Sequence, residues 1–216
     1  MLGPLSALEA RVLGVLVEKQ HTVPDSYPLT LNALVSGANQ KTARDPVMEA
    51  TDAEVQAAVD RLRSLSLVVE SSGGRVMRYA QNAGKALGLP PQSVALLAVL
   101  FLRGPQTAGE LRINSERLHK FGDIMSVEAF LNELAEKPYV RELPKQPGAR
   151  ETRWVHLLSG EPDPKLVSET GFSAGGKSVS DTSFLELKAS VEKLEAEMAE
   201  LREKVAQLYG ERGKGE

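Results

Sequence analysis

The side chains with the plainest chemical potential in this chain are amides and cations. Asn39, Gln40, Lys41 and Arg44 share one polar stretch, residues 38–50, and Arg61, Arg63, Arg75 and Arg78 follow it. Asn and Gln can bond bidentately to an adenine edge, while Arg and Lys suit guanine or phosphate oxygens. The same groups can instead be spent on the chain's own backbone, because a loop this polar needs partners for its amides and carbonyls. Both uses stay open for Asn39, Gln40 and Arg44, with Asp45 the expected carboxylate beside them.

Catalytic chemistry has less to work with. There is no cysteine, which removes disulfides, thiol nucleophiles and thiolate metal sites. His21, His119 and His156 are far apart, and none has a second ligand at helical spacing. No serine has a His and Asp partner set. The Gly-rich run Ser71-Ser72-Gly73-Gly74 lies between two strand-like segments rather than ahead of a helix, so it reads as a hairpin turn and not as a phosphate cradle. The acidic residues scatter over helix surfaces. No enzyme activity, metal or cofactor is expected.

Composition narrows the classes further. The chain has 216 residues, 25% of them charged and 42% hydrophobic, with a net charge of −3. Its pI is about 5.8, whereas a dedicated DNA-coating domain usually exceeds about 9. Residues 1–83 carry 8 basic and 9 acidic side chains, and residues 84–163 carry 10 of each, so neither half is an electrostatic magnet. Glu9, Arg11 and Glu18 interrupt the apolar N-terminal run, which reads as neither a signal peptide nor a membrane span. The longest apolar stretch, residues 94–102, is too short to cross a bilayer. A cytoplasmic protein without a membrane partner is expected.

The elements that must position these residues repeat in order. Ser6 and Glu9 form a capping box that opens a helix over 7–19. Pro24 and Pro28 hold the next stretch extended. Thr30 caps a short helix over 31–36, which Gly37 ends. After the polar loop, Thr51 and Glu54 form a second capping box, and Val55, Val59, Leu62 and Leu65 lay an apolar stripe along a third helix. Residues 67–70 and 75–79 then read as a hairpin. The pattern recurs as a helix over 92–102, a capping box at Thr107 and Glu110, a helix capped by Ser126, and strands over 140–143 and 151–157. In the second of these third helices Glu128, Glu133 and Glu136 face Lys137 alone, while the hairpin carries Arg141, Lys145, Arg150 and Arg153.

The fold expected is mainly α with small β-hairpins (α+β). Two tandem winged helix-turn-helix domains, residues 1–83 and 84–158, lead into a flexible linker over 159–183 and a coiled-coil helix over 184–209. In that last segment Leu187, Val191, Leu194, Met198, Leu201, Val205 and Leu208 alternate spacings of four and three. Leucine at every d position with valine at a positions favours a parallel two-stranded coil, so a homodimer is expected.

The stretch LEARVLGVLVEKQHTVPDSYPLTLNALVSGANQKTARDPVM closely resembles the bacterial YceH family, as do LRGPQTAGELR and PGARETRWVHLLSGE further on. The likeness covers roughly residues 5–161 and is most specific over residues 39–47. It implies tandem winged helices in a cytoplasmic bacterial protein and brings no catalytic residue with it; the tail lies outside it. Two function classes follow. One is a regulator-like protein on duplex DNA, using Asn39, Gln40, Lys41, Arg44, Arg61, Arg63, Arg75 and Arg78. The other is an adaptor whose winged-helix surfaces bind another protein. Fold and the wing arginines lean to the first, and charge leans to the second.

Overall fold

A computed structural model describes residues 3–71, 76–145 and 149–162. Arg75, the heptad segment and nearly all of the expected linker lie outside the described residues. The first half runs α1 (Ala7–Thr22), a 3₁₀ turn (Pro24–Ser26), α2 (Leu31–Ala38), α3 (Asp52–Ser64), β1 (Val68–Ser71) and β2 (Arg78–Gln81). A short α4 (Ala83–Leu87) leads into α5 (Pro91–Arg103), α6 (Ala108–Asn114), α7 (Ile124–Glu136), β3 (Val140–Glu142) and β4 (Trp154–His156). The described residues are therefore mainly helical, with two small antiparallel strand pairs among them. Among the described residues no helix is long and apolar enough to cross a membrane.

Helix starts follow local chemistry. At Ser6, Thr51 and Thr107 the hydroxyl accepts from the amide three residues on, and the glutamate there accepts from the cap's own amide. Each box satisfies two otherwise orphaned donors. The start of α7 differs from expectation. Asp123 is the cap, accepting from the Ser126 amide at 2.7 Å and the Ser126 hydroxyl at 2.6 Å. Ser126 lies one turn inside the helix, which brings Ile124 and Met125 into the first turn. Residues 24–26, expected to be extended, form a turn of 3₁₀ helix, and α4 was not expected at all.

The two halves share one apolar core. Residues 10–17 of α1 and 93–102 of α5 are buried on every side, as a helix must be when packed all round. Gly14 lets these two helices approach, since a Cβ there would stand 3.0 Å from the Leu102 side chain. Gly37 does the same for α2 against α1, with Val15 Cγ1 at 2.6 Å from such a Cβ.

The halves also repeat each other bond for bond. The residue ahead of the second helix pairs with the last strand in both, Leu29 with Tyr79 and Gln106 with Trp154. An arginine just before each aromatic donates to the carbonyl of the proline before each bridge: Arg78 to Pro28 at 2.7 Å, Arg153 to Pro105 at 2.8 Å. The Leu67 amide bonds Leu62 O at 2.9 Å, and the Tyr139 amide bonds Leu134 O at 2.9 Å. Glu70 faces Tyr79 across the first hairpin as Glu142 faces Trp154 across the second.

Candidate functional site

The loop after α2 is closed by its own first residue. Asn39 Nδ2 donates to Ala50 O at 2.8 Å, and the Ala50 amide donates to Asn39 Oδ1 at 2.7 Å. The side chain thus stands in for a strand partner across the loop mouth. Arg44 enters the interior. Its guanidinium is wholly buried, with Nη2 2.6 Å from Glu18 Oε2, Nη1 3.2 Å from Glu18 Oε1, and Nε donating to Gly37 O at 3.1 Å. Such a bidentate pair, with its remaining protons bonded to carbonyls, is the form in which a buried ion pair holds. The partner is Glu18 of α1, where Asp45 was expected.

Around this pair the charges are dense. Gln40 Oε1 accepts from Lys19 and from Arg44, both at 3.4 Å, while its Nε2 donates to Thr42 O at 2.9 Å. Arg11, fully buried in α1, donates to Ala38 O and Pro46 O at 3.2 and 2.7 Å. Burial raises the Glu18 carboxyl, but the hydrogen bonds and charges of Arg44 and Lys19 outweigh it and leave Glu18 below the ordinary carboxylate range. Burial and then repulsion from Arg44 press down the basicity of Arg11 and Arg103. The Asp45 amide meanwhile donates to Leu102 O at 2.8 Å, tying the loop to the end of α5. These bonds make the loop a clasp between the halves. Arg11 and Glu18 went unread because they lie inside or beside the apolar run of α1; an arginine among core-spaced residues was the available signal.

The remaining cations do not gather. Arg61 and Arg63 are two residues apart on α3, so they point about 200° from each other around the helix. Arg61 runs along the N-terminal segment, its Nη2 3.3 Å from where a Cβ on Gly3 would stand. Arg63 is held by Glu70 at 2.7 Å and Asp60 at 3.3 Å. Arg78 bonds the carbonyls of Pro28 and Ser26. Lys41 is exposed and forms no ion pair among the described residues.

The third helix and its hairpin meet differently in the two halves. In the first, Tyr79 Oη donates to Gln56 Oε1 at 3.2 Å, and Arg63 reaches Glu70, so helix and hairpin are bridged twice. In the second, an open groove of about 470 Å³ is lined by Ala108, Ile124, Glu128, Glu151, Arg150 and Trp154, among others. Ile124, which lines it, is 44% exposed, Met125 next to it 76%, and Ile113 on α6 70%. The sequence reading passed over these three; an apolar pair ahead of the α7 stripe was the signal. Behind the hairpin, His156 packs edge-on against Phe101 at 4.8 Å, and burial lowers its pKa to about 4, so it is neutral near pH 7.

Residues 5–149 match a family profile described as a protein of unknown function, DUF480. A UPF0502 protein of Leptothrix cholodnii is 57% identical over 218 residues, covering 99% of this chain and 97% of that protein. One from Cupriavidus taiwanensis is 57% identical, covering 97% of this chain and 84% of its own length, and one from Dechloromonas aromatica is 58% identical, covering 92% of each. The similarity to these relatives runs well past residue 161, so the tail is not outside the likeness as the sequence reading had it. The chain belongs to the DUF480 or UPF0502 family of bacterial proteins, the family to which the YceH-like stretches pointed.

Proposed function

We propose that this chain is a non-catalytic interaction protein: two winged-helix units that present surfaces to another protein, joined in pairs through the heptad tail. The winged-helix reading is supported by the repeated order of helix, bridge residue, helix, helix and hairpin. One observation carries the choice of partner. Of the described cations a DNA reader would pool, Arg44 is buried, Arg63 is paired, Arg78 bonds backbone carbonyls and Arg61 points away from Arg63, so exposed Lys41 has no cluster to join, while the exposed faces of the third helices carry Asp52, Glu54 and Asp60 in one half and Glu128, Glu133 and Glu136 in the other. Carboxylates at a helix start suit its dipole but repel phosphate. Exposed Val69, Val76 and Met77 on the first hairpin, with Ile113 and Met125 on the second half, offer instead the apolar contact that protein partners use.

The competing assignment, a regulator on duplex DNA, is separated by a mobility-shift series with the full chain and random duplex. At roughly 50 mM salt the sequence-independent phosphate contribution is near its strongest. No shift is expected there. A retarded band that fades steeply with added salt would remove the protein-binding reading.

A further inference from the structure

The duplication supplies its own control. Because the same backbone bonds recur, positions in α3 and β1 correspond to those 72 residues later, as Leu62 to Leu134 and Glu70 to Glu142 show, and β2 positions to those 75 later, as Tyr79 to Trp154 shows. The residues that bridge helix and hairpin in the first half are Gln56, Arg63, Glu70 and Tyr79. Their counterparts are Glu128, Ala135, Glu142 and Trp154. Among the described residues the Trp154 indole N–H makes no bond to Glu128, and alanine has no charge to offer Glu142, so neither bridge is present in the second half. The groove of the second half lacks both contacts on an otherwise repeated frame.

The mouth of the groove changes in the same direction. Ile124 and Met125 correspond to Asp52 and Ala53; all four are exposed. The fold therefore does not require large apolar side chains at these places, and the second half keeps them in water all the same. Ile124 and Glu151 meet at one point over α6, since a Cβ on Gly109 would stand 3.9 Å from the Ile124 Cδ1 and 3.9 Å from a Glu151 carboxylate oxygen. Glu128, Glu142 and Glu151 line the groove against Lys145 and Arg150, which lie toward the hairpin's far end, and Glu133 and Glu136 extend the acidic α7 face. Glu142 is engaged by the Thr152 hydroxyl. Glu128 and Glu151 make no ion pair among the described residues.

We infer that the α7–hairpin groove of the second half docks a protein segment carrying a large apolar anchor flanked by lysine or arginine. The anchor fits against Ile124 and Trp154, with Met125, next to Ile124 in the chain, at the edge, and the flanking cations answer Glu128 and Glu151. Anchors in a pocket with a polar rim are how such interfaces concentrate their affinity. A nucleic-acid backbone is repelled by the same carboxylates. The inference rests on the interaction-protein reading above and goes further by naming the surface and the chemistry of its occupant.

Panning a phage-displayed random peptide library against the immobilised full chain tests it. Enriched peptides are expected to set an aromatic or branched apolar residue beside Lys or Arg. Synthetic copies, titrated by fluorescence anisotropy, should lose at least about tenfold in affinity for Ile124→Asp and for Met125→Asp, which is the loss of one anchor contact. The Glu128→Lys/Glu151→Lys variant should reverse the charge preference, and Val47→Asp, an exposed valine of the first half, should change nothing. Circular dichroism checks folding; Met125 is the more exposed, so its variant decides if Ile124→Asp fails to fold. No enrichment, enrichment of acidic peptides, or binding indifferent to the groove variants would overturn the inference. Random duplex in the same titration tells the two failures apart: duplex binding sinks the interaction-protein reading, whereas peptide binding that ignores the groove sinks only this surface.

Discussion

A guanidinium taken out of water needs its charge answered, and at Arg44 the answer is Glu18 at 2.6 Å. Arg44→Met removes the cation and leaves a carboxylate with 15% side-chain exposure and only Lys19 beside it, at 3.1 Å. Losing one partner of such a pair costs about 3–5 kcal/mol, read from the urea midpoint. Glu18→Gln/Arg44→Met should recover part of that loss, because no buried charge is then stranded. The pH dependence has a definite sign. Glu18 titrates lower in the folded chain than its unfolded value of about 4.3, so its contribution is full above that pH and is lost as pH falls through the lower, folded value. The gap between the native chain and Arg44→Met should narrow on acidification below about pH 4. A gap that stays constant down to pH 3 would mean that the ion pair is not its source.

Among elements, the contact of α1 with α2 turns on the absence of a side chain at Gly37. Alanine gains about 0.5–1 kcal/mol of helix propensity there. It must also place a Cβ 2.6 Å from Val15 Cγ1, an overlap that costs about 1–3 kcal/mol in a packed interior. Gly37→Ala should therefore lower the thermal midpoint, and adding Val15→Ala should restore part of it. A stabilised single variant would show that the helices have room to spare. Capping boxes were legible in advance because both partners lie within one helical turn. α4 was not, because five residues carry too little periodicity to read. The start of α7 was misjudged because Ser126 followed by an apolar stripe imitates a cap, although Asp123, three residues earlier, holds the amide.

At the scale of the whole molecule, the heptads from Leu187 to Leu208 predict association independent of either helical half. Sedimentation of the full chain at micromolar concentration should give a dimer, and Leu194→Lys/Leu201→Lys a monomer with unchanged far-ultraviolet dichroism from the first 162 residues; a native chain that sediments as a monomer removes the coiled coil. The polar loop shows how much of the site was readable. Its residue types announced that Asn39, Gln40 and Arg44 needed partners, and the reading that they serve their own chain was already open. Which groups they meet was out of reach, since Glu18 lies 26 residues from Arg44 and Ala50 lies 11 from Asn39. The sequence by itself determined the order of elements, four helix caps, the apolar stripes and the balance of charge, all of which depend on neighbours within about one turn or on simple sums. Tertiary structure alone decided which arginines are buried, that α1 and α5 share one core, and that helix and hairpin are bridged in one half while the other lacks both contacts. Those outcomes depend on desolvation and on contacts between distant segments, which spacing along the chain does not encode.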